Sequence, residues 1–444
     1  MVENLEDLKN KYISLNDNYK NLEKLLEAYN PWTDENISKL SEDFFAALEN
    51  EDNEFSWLKI DSYDKKKDKE KKDLHEELKD KKGKAVSIDY GIPSHVRGDI
   101  EKGTVFLCLV NPNIDVKVAM CEACQMKNKE NIKKYIFDSR SEGGILYKEI
   151  VELKGMKNLI GLEESDEDKN HEKNEIGYYT ANYFNVILLA INDYKNKDEK
   201  EYEDLKKAVQ SFERFTRTLK NDDENKPKND KNIKKEDLKN FVEMSKKIVN
   251  LEAFPFRSST PNFAINDEDV DACEKRFANC LVKSNSNVSK LSARIIIWRI
   301  LEYLNSDEKD KVKPVFIFRR FNRAWRPSIE NVLIKDFVEK YKDVFIEKNK
   351  DDLDEEKKAI NIAIDNIIEE LHEEFFYTIG PKDQDNMLKM GKNIYKNDDN
   401  IYEENENEND QDKENKGNKE AVFNEIIINA LTPKKDKKEN KGYE

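Results

Sequence analysis

Short apolar runs in this 444-residue chain end in loops whose side chains are equipped for chemistry. Thr104–Val110 is followed by Asn111, Pro112, Asn113 and Asp115. A second run, Lys247–Phe254, carries Glu252 and Phe254 and leads to Phe256, Arg257, Ser258 and Ser259. Arg319, Arg320, Asn322, Arg323 and Trp325 follow Pro314–Phe318, and Lys382, Asp383, Gln384 and Asn386 follow Glu374–Ile379. Amides that read hydrogen-bonding edges, rings that stack and arginines that bind phosphate make up the set expected around a nucleotide base and its backbone. The stretch 294–326 holds nine Lys and Arg residues against four Asp and Glu, a basic island in a chain of net charge -16. Such an island reads in two ways: a phosphate site, or arginines paired with the abundant carboxylates.

For those loops to act together, the strands that deliver them must lie side by side. Helical patterns over Val288–Leu304 and about 354–371 separate the later strands, which predicts an α/β fold. We expect a four-stranded, largely parallel sheet flanked by helices, with helical N-terminal and C-terminal additions. Ligands of such sheets bind at the carboxyl ends of the strands. At the N-terminus, Leu5, Leu8, Tyr12, Leu15, Tyr19, Leu22, Leu26 and Tyr29 recur in steps of three and four up to Pro31. This seam fits an amphipathic helix docked on its own domain, or self-association through a coiled coil. The expected organisation is an N-terminal helical region (1–62), a charged linker or helix (63–84), the α/β domain with charged insertions (85–391) and an acidic, mostly disordered tail with a short helix (392–444).

Composition excludes several classes. No stretch approaches 18 consecutive apolar residues, so no membrane partner is expected, and 10% aromatic residues suffice to build a core. The acidic start MVENLEDLKN lacks a basic-then-apolar leader pattern and predicts a cytoplasmic protein. Five cysteines in so long a chain do not form a disulfide framework. Cys121 and Cys124, with Cys273 and Cys280, offer a zinc or iron–sulfur ligand set, but the spacing is not that of a paired motif. Asp138, Glu152 and Lys154 mimic a metal-dependent nuclease site, in a chain with 39% charged residues where such spacing arises by chance. No Gly-rich phosphate loop, nucleophile elbow or histidine array occurs, and no cofactor or metal is expected.

The run Leu109-Val110-Asn111-Pro112-Asn113 resembles the first motif of the uracil-DNA glycosylase superfamily, closest to the Gly-x-Asn-Pro-Gly form of its mismatch-specific members. Together with Glu252-Ala253-Phe254-Pro255-Phe256-Arg257-Ser258 it is also similar to a bacterial group with the pattern Asn-Leu-Asn-Pro-Gly followed by Glu-x-Phe-Pro-[Tyr/Phe]-x-Ser. The resemblance spans roughly residues 85–390. It implies DNA as the partner, and recognition and excision of a flipped, modified base, with defence against phage as the setting. Asn111 would then position or polarise the attacking water with Asp115 as a carboxylate helper. Phe254 or Phe256 would stack on the base, beside Asn113, Glu252, Arg257 and Ser258. Arg319, Arg320 and Arg323 would hold the backbone, and Lys382 or Gln384 would probe the groove from the Gly380–Gln384 loop. Leu109 and Asn113 stand where the family has glycines, and no histidine follows the fourth strand. Cleaving an N-glycosidic bond requires a positioned water and a stabilised leaving base. An asparagine cannot act as a base at neutral pH, so a site relying on Asn111 alone would be slow or would bind without cutting. The alternatives are a metal-dependent nuclease and a non-enzymatic acidic interaction protein.

Overall fold

Strands buried on both faces read as short unbroken apolar runs, and such runs form the centre of this molecule. The structure, a computed structural model, describes residues 3–32, 39, 42, 96–111, 187, 243–255, 287–306, 311–338, 353–379, 394–396 and 430–431. Its sheet has the order β1-β3-β2-β4-β5-β6. The strands are β1 (Val96–Arg97), β2 (Val105–Leu109), β3 (Ile248–Glu252), β4 (Val315–Phe318), β5 (Phe376–Ile379) and β6 (Ile394–Lys396). β3, β2, β4 and β5 run parallel, while β1 and β6 pair antiparallel at the two edges. The expectation of four strands therefore captures the parallel centre and misses both edges. It also set the boundary of the tail at 392, before β6 rather than after it.

Strand β2 is entered through a tight turn that needs two glycines. Gly98 has φ +106°, and a Cβ there would stand 2.8 Å from the Ile248 carbonyl oxygen. A Cβ on Gly103 would lie 2.3 Å from Val249 Cγ2.

Alternation along the strands gives the sheet two different faces. One carries Phe106, Phe316, Phe318 and Phe376, with Phe106 and Phe316 stacked at 4.7 Å between centroids. Helices α3 (Asn287–Leu304), α4 (Arg326–Leu333) and α5 (Leu353–Glu374) form one hydrophobic cluster with this face. Helix α3 is apolar nearly all round, with Ile295, Ile296, Ile297 and Leu301 buried, as befits a central helix. The other face presents Arg97, Asn250, Leu107, Ile317 and Tyr377 in register across the strands.

The N-terminal seam is spent inside the chain. It forms two helices, α1 (Leu5–Leu15) and α2 (Leu22–Tyr29), because asparagines interrupt it: Asn21 caps α2 by accepting from the Lys24 N–H at 2.9 Å, and Asn16 is extended. Leu5, Leu8, Tyr12, Tyr19 and Leu22 are buried in the same cluster as α3 and α5. The Leu5 N–H donates to Glu370 of α5 at 2.9 Å. A buried ion pair completes the docking. Arg294 Nε and Nη2 donate to Asp336 Oδ2 and Oδ1 at 2.6 and 2.9 Å, the Tyr19 hydroxyl donates to Asp336 at 2.8 Å, and the Arg294 guanidinium lies 3.8 Å from the Tyr29 ring centroid. Self-association through this seam is thereby corrected, since its apolar face is already covered by the chain's own helices.

At the amino ends of β2 and β3, Thr104 Oγ1 donates to the Ala430 carbonyl at 2.6 Å and Lys247 Nζ to the Leu431 carbonyl at 2.8 Å. These C-terminal residues are buried against the edge opposite the strand-end loops.

Candidate functional site

Parallel pairing places the ends of β3, β2 and β4 along one edge, and backbone hydrogen bonds continue past the strands themselves. The Ala253 and Phe254 N–H groups donate to the Leu109 and Val110 carbonyls at 3.0 and 2.8 Å, and the Arg319 N–H donates to the Cys108 carbonyl at 2.9 Å. Asn111, which is buried, is thus held between the end of β3 and the end of β4. Of the residues singled out from sequence, Asn111, Glu252, Phe254, Arg319 and Arg320 come together here. Arg323 lies in the turn that follows Arg320. Asn113, Asp115, Phe256, Arg257, Ser258, Lys382 and Gln384 lie outside the described residues, as do Asp138, Glu152, Lys154 and four of the five cysteines.

Glu252 sits at the carboxyl end of β3, beside Leu109 in register, and is buried. Asn250 Nδ2 donates to its Oε1 at 2.9 Å, and the Ser292 hydroxyl of α3 donates to its main-chain carbonyl at 2.7 Å. Arg97, also buried, pairs opposite Asn250 on the same face. Burial, and secondarily the Glu252 carboxylate, push the Cys108 thiol well above its ordinary range. Cys108 therefore stays protonated and is no nucleophile.

The end of β4 is backbone-strained. Arg320 adopts the left-handed region at φ 56°, ψ 49°, which costs a non-glycine residue about 1–2 kcal/mol. A wide π-type turn, Phe321–Trp325, follows, closed by the Arg326 N–H on the Phe321 carbonyl. Phe318 clamps it edge-on against Phe321 and Trp325, at 5.0 and 5.5 Å between centroids. π-type turns concentrate at functional sites.

The basic island divides. Arg294 pairs with Asp336, Arg299 with Glu302, Lys311 with Glu302, Lys313 with Glu374, and Arg326 with Glu330 and Asp365. Arg294–Asp336, Lys313–Glu374 and Arg326–Asp365 join separate elements, while Arg299–Glu302 and Arg326–Glu330 lie within one helix. Arg319 and Arg320 stand just past the end of β4, at the edge where Asn111 lies.

Phe254 corrects an expectation. Its ring is fully buried in the core cluster, so it fills the interior and does not face a bound base. His372 of α5 is likewise interior, edge-on to Phe321 at 4.5 Å and to Phe376 at 5.4 Å. Neither of its ring nitrogens has a hydrogen-bond partner among the described residues, and burial, with the Arg326 charge adding to it, lowers its pKa to about 3. It is a neutral core imidazole.

Sequence reading passed over Asn250 and Arg97. A polar residue two before Glu252 in an otherwise apolar strand was the available signal for Asn250, since period two puts both on one face. A two-residue edge strand gave none for Arg97. Among the described residues no group of three or more His, Cys, Asp or Glu side chains is placed to hold a metal ion, and no helix is long and apolar enough to cross a membrane. No protein family, curated protein or solved structure matches the chain.

Proposed function

We propose that the carboxyl edge of the parallel sheet binds a nucleobase flipped out of DNA and cleaves its glycosidic bond, with modified phage bases as the substrate class. The observation that carries this reading is the convergence of Asn111, Glu252, Arg319 and Arg320 from three distant stretches, held by the bonds from Ala253, Phe254 and Arg319 to the end of β2. An amide on the floor of such a site can read the edge of a base or hold a water. Two adjacent arginines, one on a pre-set left-handed backbone, supply phosphate contacts at little ordering cost. With Phe254 interior, stacking on the base falls to Phe256. The sheet edge is also where α/β proteins bind ligands generally, which favours this position over the helical layer.

The test is release of free base from phage DNA with modified bases and from unmodified DNA, read by mass spectrometry. The wild type should release base from the modified DNA, and Asn111→Ala should lower the rate by at least about 100-fold, the size of a lost electrostatic or positioning contact. Absence of free base from every substrate would overturn excision. Magnesium-dependent strand cutting that disappears in Glu152→Ala would favour the nuclease instead.

A further inference from the structure

We infer that Glu252, oriented by Asn250, is the general base of this site. The inference rests on the base-excision reading and supplies what that reading lacks. Asn111 cannot take a proton at neutral pH, yet a water attacking C1′ must lose one. The proton acceptor has to lie on the same edge, and among the described residues Glu252 is the carboxylate there.

The geometry is that of a held base rather than a space-filling side chain. Asn250 Nδ2 fixes one carboxylate oxygen at 2.9 Å, and the Ser292 hydroxyl fixes the Glu252 main chain at 2.7 Å. The next residue, Ala253, is locked to the Leu109 carbonyl at 3.0 Å. Side chain and backbone are both restrained, as preorganisation for proton transfer demands. Glu252 is beside Leu109, one strand away, and Asn111 lies two residues beyond Leu109. Arg319 lies one residue past the last β2–β4 pair, Cys108 with Phe318. Two strand spacings, roughly 10 Å, therefore separate the backbones of Glu252 and Arg319. That span accommodates a deoxyribose between a carboxylate at C1′ and a cation at the phosphate. Burial of the carboxylate carries a desolvation cost that leucine or valine would not. Arg97, also buried, lies across from Asn250 on the same face.

The step balances simply. The C1′–N bond breaks and its electron pair leaves with the base, while the water oxygen bonds to C1′. The water's proton passes to Glu252 and on to solvent, and the departing base takes up a proton from solvent. No other reactant is needed. Asn250 is a positioning residue, acting through Glu252.

Single-turnover base release decides it, on the DNA that the wild type cleaves, with DNA affinity and thermal midpoint measured alongside. Glu252→Gln, which keeps shape and packing, should lose at least about 100-fold in rate with DNA affinity within about threefold. Glu252→Ala should regain rate when formate is added, a rescue that a purely structural role would not show. Asn250→Ala should lower the single-turnover rate and leave DNA affinity unchanged. If the wild type releases base and Glu252→Gln does so within threefold of it, Glu252 is not the base, while the excision reading stands. If the wild type releases none, the excision reading fails and this inference falls with it.

Discussion

The two faces of the sheet are built from alternate residues of the same strands, and they do different work. On one, Phe106, Phe316, Phe318 and Phe376 interlock with α3, α4 and α5 in a single apolar cluster. On the other, Arg97, Asn250, Glu252 and Tyr377 sit among Leu107, Leu109 and Ile317, with Asn111 and Arg319 just beyond them at the carboxyl edge. Because side chains alternate with period two, the β2–β4 register that stacks Phe106 on Phe316 also sets Arg319 just past the Cys108–Phe318 pair, and the β2–β3 register that puts Val249 beside Phe106 sets Glu252 beside Leu109. A slip of one residue would bury the polar set in the aromatic core. The aromatic face thus fixes where the proposed chemistry would stand, without touching it.

That division can be broken first on its helical side. Asp336→Ala leaves Arg294 buried without its carboxylate, so stability should fall by about 3–5 kcal/mol in denaturant unfolding. The molecules that remain folded should release base at the wild-type rate. Loss of activity at unchanged stability would show that the helical layer takes part in the chemistry.

A second separation is by pH. His372 has a folded pKa of about 3, below its ordinary 6.5, so between those values the unfolded chain binds a proton that the folded chain refuses. Stability is complete above pH 6.5 and falls as pH drops, by roughly 3 kcal/mol at pH 4 from this group. His372→Phe should remove that part of the slope in urea titrations across pH 7 to 4. An unchanged slope would mean that the imidazole is not held neutral by the aromatic face.

The smallest effect falls at the strained end of β4. Arg320→Gly relieves the left-handed backbone and should raise stability by about 1 kcal/mol. It should also weaken DNA binding and reduce the salt dependence of log Kd by about one. Gain of stability with unchanged DNA affinity would make Arg320 a strained bystander.

Much of this was legible beforehand, for physical reasons that differ by element. The runs Val105–Leu109, Ile248–Glu252, Val315–Phe318 and Phe376–Ile379 announce themselves because a strand covered on both faces is apolar throughout. Edge strands β1 and β6, two and three residues long, are too short to show any alternation. The N-terminal seam keeps its three-four spacing straight through Asn16 and Asn21, and only the capping bonds of those asparagines divide it into two helices. Residues 321–338 hide because two π-type turns flank α4 and blur its period. At the site, Asn111, Arg319 and Arg320 were legible because each follows directly on a strand. Phe254 was not, since past Glu252 the chain leaves the strand and alternation no longer says which way a ring points. Nor could the sequence divide the basic island, because Arg294 and Lys313 find their carboxylates, Asp336 and Glu374, only once the chain is folded.

Hydrogen–deuterium exchange shows whether the three distant stretches form one edge that meets DNA, as proposed. With an oligonucleotide bearing a stable abasic-site analogue, peptides covering 109–113, 252–256 and 319–323 should gain protection together, while those covering Thr104, Lys247 and Leu431 at the opposite edge should not change. Protection confined to the opposite edge or to the helical face, or to one of the three stretches without the others, would mean that they do not form one binding edge.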